Sequence, residues 1–410
     1  MNKIIAILLC CCLVVACTDD KKYAPKEGRL AVFEASVPDS ITGTAQLKAA
    51  TEPTQWTSKN FNIQNQLPNM KVADTNKELW EERAGNKTDL GTRMLTTPIA
   101  ADGFIYVLDG TYSLSKIDQN NGKIVWQKQL AKDAAGEGLT IQNDTIFAVS
   151  KNGIITAVSS EGENIWQKDL GVAMRSSAIA DKRFLYFVTA HNQLMVLTQK
   201  DGSEVWRYQT TKPNTFLQEM ANPALANGVL VAPFSTGEVI AFDNDSGLLL
   251  WIQMMVGSRP RDLTEIPQIA AAPVIENNVV YLTGNANLTG AYDLKTGASK
   301  WTNNYGSRMT PILGENALFL LTNQNELLAL DKKTGKLFWQ QKFDSKDYDP
   351  WQSLFAQNDQ LVLSDGSHLV FIDPANGKTL KVQKLATKAQ PISVNGHLVT
   401  LDKKTNVTCK

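Results

Sequence analysis

The sequence predicts an all-β fold, an eight-bladed β-propeller of four-stranded antiparallel blades whose ring is closed by an N-terminal strand. Three observations predict it. A glycine four residues before a tryptophan recurs along the chain at periods typical of repeat architectures. Short β-rich runs broken by hairpin residues recur midway between those marks. The last unit stops one strand short, and a matching strand motif stands far upstream.

The first mark reads Gly122/Trp126, Gly162/Trp166, Gly202/Trp206, Gly247/Trp251, Gly297/Trp301 and Gly335/Trp339. Successive tryptophans are 40, 40, 45, 50 and 38 residues apart. A short polar residue stands four places before most of the glycines: Asp118, Thr198, Asp243, Asp293 and Asp331. The Gly162 copy departs, with Val158 there and Ser159 next. A seventh copy keeps Asp373 and Gly377 but carries Lys381 in place of tryptophan. The spacing has a physical reason. A strand stops at the aspartate, whose carboxylate accepts from amides of the turn, and glycine supplies a positive φ without steric conflict. The tryptophan then lands on the next strand, where its ring fills the gap to a neighbouring unit.

The second mark is a turn pair between two apolar runs: Asp102-Gly103, Asn143-Asp144, Asp181-Lys182, Asn227-Gly228, Asn277-Asn278, Glu315-Asn316, Asn358-Asp359 and Asn395-Gly396. Eight such hairpins, each followed by a second, make four strands per unit, the content of a propeller blade. The final unit places Asp402 four residues before Asn406, a residue tolerant of positive φ, and then ends at Lys410. Its fourth strand is missing. Upstream, Asn76 stands four residues before Trp80, so the strand around Trp80 is expected to close the last blade and leave no open junction.

Composition narrows the function. Lysine plus arginine equals aspartate plus glutamate, 41 each, so no basic excess points to nucleic acid. His191, His368 and His397 lie too far apart for metal-ligand spacing. At the N-terminus Lys3 precedes an apolar run from Ile4 to Ala16 that is short for a bilayer span and reads as a secretory signal over 1–16. Its end, Val14-Val15-Ala16-Cys17, is similar to the lipobox of bacterial lipoproteins. That resemblance implies cleavage before Cys17 and its acylation, and three acyl chains anchor permanently. Thr18, where an aspartate would imply retention in the inner membrane, makes the outer membrane the expected destination. Cys10, Cys11 and Cys12 leave with the signal, so Cys409 is the one cysteine without an assigned role. Residues 17–73 are polar, charged and without clean periodicity, and are expected to tether a propeller over 74–410. Trp56 marks a segment that packs either on the ring or on a partner.

The copies ALDKKTGKLFW, AYDLKTGASKW and FDNDSGLLLW resemble the pyrroloquinoline-quinone-type propeller repeat, and two families share it. In quinoprotein alcohol dehydrogenases the resemblance would imply a quinone in the central channel, calcium held by carboxylate and amide, and a catalytic aspartate. Many carry a vicinal disulfide; the only adjacent cysteines here fall in the signal, and no C-x-x-C-H haem motif is present. A ligand-binding propeller, for instance for an envelope glycan, has no sequence feature in its favour. The lipobox, the eight units and the length are similar instead to the BamB family, lipoproteins of the outer-membrane β-barrel assembly machine. That resemblance implies a non-catalytic scaffold without cofactor, facing the periplasm on the outer membrane. The implied partners are a BamA-type barrel insertase and unfolded outer-membrane proteins.

The stretched periods fall in two consecutive inter-blade connections, after Trp206 and after Trp251. Both carry apolar residues among polar ones: Phe216, Leu217 and Met220 in the first, Leu263 and Ile266 beside Arg259, Arg261, Asp262 and Glu265 in the second. Aromatic, methionine and arginine residues in loops suit a binding surface. The family resemblance implies that these two loops hold the insertase. The family's leucine–arginine pair becomes Leu217-Gln218 here, and its arginine–leucine and aspartates become Arg261-Asp262-Leu263-Thr264-Glu265. Partner-binding residues are therefore expected at Phe216, Leu217, Gln218, Arg261, Asp262, Leu263 and Glu265.

Overall fold

A computed structural model describes residues 40–73, 77–85, 96–213, 220–256, 267–344, 348, 350–385, 387, 389–402 and 404–410. Every regular element among them is a β-strand. The strands form eight sheets, seven of four strands and one of five. Blade 1 is typical: Ile99–Ala101, Phe104–Leu108, Ser113–Asp118 and Ile124–Gln129 pair antiparallel in chain order. Blades 2 to 7 repeat this over 136–169, 179–209, 224–254, 274–303, 312–342 and 353–384. Blade 8 takes Ile392–Val394, His397–Leu401 and Asn406–Cys409 from the end of the chain and its outer strand, Trp80–Arg83, from the beginning. First strands of neighbouring blades adjoin and surround the axis.

The second and third strands are apolar and buried almost throughout, because each lies between two neighbouring blades. Outer strands alternate, in the pattern exposed, half-buried, exposed, because one face meets a neighbour and the other meets water. Six first hairpins turn on two residues of positive φ, for example Asn227 (49°) and Gly228 (77°). That is the type I′ geometry whose twist matches the strands. The hairpins at Asp181-Lys182 and Glu315-Asn316 are turned differently, without that pair of positive φ values.

What joins blade to blade is the glycine–tryptophan phrase. Each indole lies on the turn glycine of the next blade: Trp80 on Gly122, Trp126 on Gly162, and so on to Trp339 on Gly377. Each Nε1 then donates to a carbonyl of that same turn, from Trp80 to Gln119 at 2.8 Å through Trp339 to Pro374 at 2.8 Å. The aspartates cap their turns as expected: Asp118 Oδ1 accepts from the Asn120 amide at 2.8 Å, and Asp331 Oδ1 from Thr334 at 2.7 Å. Seven seams of the ring carry this clasp. At the eighth, Lys381 lies over Phe371, its Nζ 4.2 Å from the ring centroid. The receiving turn of blade 8 does not exist, since its third strand ends at Cys409 and its outer strand comes from upstream. There is no glycine there for an indole to cover.

Two expectations are corrected. The Asp402 turn joins the second strand of blade 8 to the third, rather than the third to the outer. Its positive φ falls on Thr405 (68°), and Asn406 already pairs with Arg83 in the closing strand. The cause is spacing: Asp402 Oδ1 accepts from the amides of Lys404 and Asn406, the pattern of second-to-third turns such as Asp109 with Thr111 and Ser113.

The second correction concerns the tether. Residues 40–73 pack into the ring. Gln46 meets Gly314 and Glu315 of blade 6, Pro53 accepts from Asn395 of blade 8, and Trp56 pairs antiparallel with Ala100 of blade 1. The chain then enters the channel, where the Ile141 amide donates to Thr57 and the Leu225 amide to Ile63. It leaves as Asn69–Met70, a fifth strand parallel to Ser353–Gln357 of blade 7. Aperiodicity misled because this segment follows the ring's hairpins instead of one sheet, so its contacts obey no helical or strand period.

Each blade has two ends. First hairpins and third-to-outer turns share one, tied by bonds such as Gln119 N to Gly103 O at 3.0 Å. Second-to-third turns and inter-blade connections share the other, tied by Leu130 N to Tyr112 O at 3.1 Å and Met255 N to Gly237 O at 2.8 Å. We call these the hairpin face and the connection face.

Candidate partner-binding face

On the hairpin face the mouth of the channel is occupied by the chain itself, while hairpin residues such as Asn143, Asn227 and Asn278 stay exposed. Lys48 Nζ meets Glu276 Oε1 at 2.5 Å, and Lys332 holds Glu276 Oε2 at 2.7 Å, clamping the covering segment to blades 5 and 6. Deeper in the channel, Asn65 is wholly buried and its Nδ2 donates to the carbonyls of Pro223 and Pro273, 3.0 Å each. Those prolines immediately precede the first strands of blades 4 and 5, so Asn65 ties the two blades together from inside the ring. Its φ of 56° lets the chain reverse there. Trp56, 1% exposed, stacks edge-on against Phe61 at 5.1 Å.

The connection face bears both stretched connections. Phe216, Leu217, Gln218, Arg261, Asp262, Leu263 and Glu265 lie outside the described residues, as do Arg259, Ile266 and Cys17. The legs on either side of them are described. The first connection leaves blade 3 with Thr210 N donating to Asn192 O at 3.2 Å and Asn192 Nδ2 to Thr211 O at 2.9 Å. The second leaves blade 4 at Val256, which bridges to Ala286 of blade 5. They return side by side, the Ala221 amide donating to Ile269 O. Met220, expected as a loop contact, is instead buried in the core between blades 3 and 4, where its sulfur accepts from Ser235 Oγ.

The residues present do not fit a quinone held from the hairpin face, because Trp56, Asn60 and Asn65 occupy that part of the channel. Among the described residues no three His, Cys, Asp or Glu side chains group closely enough to hold a metal ion. A cavity of about 280 Å³ between blades 1 and 2 is lined by Asp102, Tyr106, Lys116, Asp144 and Glu161 among others. Lys116 there is spent on Ser160 O at 2.8 Å and the Phe104 ring. Burial, with nearby carboxylates, pushes the Tyr106 phenol up to about 12, so it stays protonated across the neutral range.

A family model described as outer membrane protein assembly factor BamB matches residues 70–136 and 113–341, well over half of the 410 residues. The chain belongs to the BamB family. BamB of Salmonella typhimurium is 30% identical over 253 residues, 59% of this chain and 64% of that one. BamB of Yersinia pestis is 25% identical over 245 residues, 57% and 51% of the two chains. The chain thus spans under two thirds of the length of these curated BamB relatives. Among solved structures, BamB from Moraxella catarrhalis superposes with a TM-score of 0.71 at 16% identity, over 81% of this chain and 98% of that one. Quinohemoprotein alcohol dehydrogenase from Comamonas testosteroni gives 0.66 at 12% identity, over 88% and 81%. At such identities both likenesses speak for the propeller alone. What sequence reasoning missed is the chain's own plug, Trp56 to Asn65. Trp56 was its one visible signal, a tryptophan off the repeat.

Proposed function

We propose that the chain is a non-catalytic scaffold lipoprotein of the outer-membrane β-barrel assembly machinery, anchored through Cys17 and facing the periplasm. It binds a BamA-type barrel insertase through the connection face and presents unfolded outer-membrane proteins to it. The observation that carries this reading is the asymmetry of the ring. Residues 40–73 occupy the channel mouth on the hairpin face, whereas the two long connections start and return on the other. A surface for a large partner needs an accessible face with apolar, aromatic and arginine side chains. Phe216, Leu217, Gln218, Arg261, Asp262, Leu263 and Glu265 are the residues proposed to make the contact. Family membership and the assembly-factor names of the relatives support the same reading.

Photo-crosslinkers at positions 261 and 217, with one at Asn143 on the hairpin face as control, test it in cells. Adducts with the insertase from 261 or 217 and none from 143 are expected. Insertase adducts from 143 alone, or none from any position in folded protein, would overturn the reading.

A further inference from the structure

Outer strands of propeller blades are sheet edges, and natural edges are blunted with charge. The residues that face outward at the last position of this strand are Gln129, Asp169, Gln209, Lys342 and Lys384 in blades 1, 2, 3, 6 and 7. Blade 4 differs. Its outer strand, Leu249–Met254, has no charged residue, and Leu250, Ile252 and Met254 are 39%, 49% and 50% exposed on one face. Ile252 stands opposite Ile240, and Ile240 and Phe242 pack with Trp206 and Tyr208 of blade 3. The exposed ladder therefore continues the core between blades 3 and 4 out to the rim.

On the other face of the same strand Trp251 is buried against Gly297 of blade 5, and Gln253 follows it along the strand. Gln253 Nε2 donates to Gly297 O of blade 5 at 2.9 Å, and Lys300 and Thr302 of blade 5 look toward it. Lys300 is exposed. An added strand would meet apolar side chains on one side and a cation with amide and hydroxyl groups on the other. The unpaired backbone of the edge asks for a strand rather than a helix. Strand addition already operates in this ring: Trp80–Arg83 joins blade 8 from more than three hundred residues away in sequence, and Asn69–Met70 joins blade 7.

We propose that Leu249–Met254 is a docking edge for an extended peptide with apolar residues at every second position and polar or acidic residues between them. Transmembrane β-barrel strands carry this alternation, apolar toward lipid and polar toward the lumen. The proposal rests on the assembly role above and names where an unfolded barrel strand is held. Met254 lies two residues before Val256, where the chain leaves toward the second long connection, so a strand held here would end at the proposed insertase face.

The test uses the purified full chain and a fluorescent ten-residue peptide alternating valine with threonine or glutamate. Controls are the same composition with its valines in one block, and the alternating peptide N-methylated along one backbone edge. Binding by the alternating peptide alone is expected, with hydrogen exchange slowed at outward amides of residues 249–254. Ile252→Lys and Met254→Glu, both at exposed positions, should keep the melting temperature and weaken binding at least about tenfold. Equal binding of the blocked peptide, protection elsewhere, or unchanged affinity in both variants would overturn the proposal. So would a wild-type dimer that Ile252→Lys converts to monomer, which would assign the edge to a second copy. Co-purification of the wild type with the insertase is scored separately. Its loss with peptide binding intact removes the assembly role and leaves the edge standing; the reverse removes the edge alone.

Discussion

At Gly297 two requirements meet: a backbone φ of 69°, and the indole of Trp251 lying where a side chain would stand, its Cγ 2.7 Å from an added Cβ. Gly297→Ala therefore suffers twice, once in the left-handed backbone and once against a ring, and should lose about 2–3 kcal/mol in urea unfolding. Trp251→Ala, at 6% exposure, should lose about 3–5 kcal/mol by leaving a cavity at the seam. Lys381→Trp, at the seam with no glycine to receive it, should gain nothing. The positive φ was legible in the sequence as a turn requirement. That the indole presses on the glycine of the following blade was not, because spacing along one strand says nothing about the surface it meets. Cys409 makes a prediction about pH. Burial pushes its thiol up to about 11 from an ordinary 9.0. A raised value means that the folded state favours the protonated thiol, so its contribution is complete below pH 9 and is lost as pH rises through 11. Melting temperatures taken between pH 8 and 10.5 should fall more steeply in the wild type than in Cys409→Ala.

Residues 40–73 behave as one element although only Asn69–Met70 among them is a strand. Their hold on the ring is a series of single contacts, so the loss of one should loosen its neighbourhood before the blades respond. Asn65→Ala leaves the carbonyls of Pro223 and Pro273 without donors in a buried place and strains a φ of 56°. A loss of about 2–4 kcal/mol is expected, and Asn65→Gly, which relieves the backbone alone, should recover only part of it. The clamp at Glu276 titrates. Burial raises its carboxyl, but hydrogen bonds and charge from Lys332 and Lys48 outweigh that and hold it below its ordinary 4.5. The stabilisation it supplies is full above pH 4.5 and is lost as pH falls through the lower folded value. Hydrogen exchange at Glu315, whose amide donates to Gln46 O, should quicken under acid before exchange in Leu318–Leu330 does. Exchange that stays uniform across both regions would contradict a separable plug. The hairpins of this ring were readable from their residue pairs because a turn is local. The plug was unreadable because every contact that holds it to the blades is remote in sequence.

The ring as a whole is held shut by four residue pairs between its two ends, Trp80 with Cys409 through Arg83 with Asn406. Glu81→Cys with Thr408→Cys, opposite one another in that register, should form a disulfide and add about 2–4 kcal/mol, abolished by reduction. Eight blades and their closure were legible because the repeat counts itself and its remainder points upstream. Which end of the channel is open was not, since residues 40–73 carry no local pattern showing that they occupy the other. That arrangement has a consequence for the order of events in time. Residues 40–73 touch blades 1, 2, 4, 5, 6, 7 and 8, and their partners extend as far along the chain as Asn395 and Gly396. Trp80 cannot find its strand partner until residues more than three hundred places later have been made, so this part of the ring waits unpaired while the blades between form. Residues 40–73 then serve as a mandrel, around which the later blades wind.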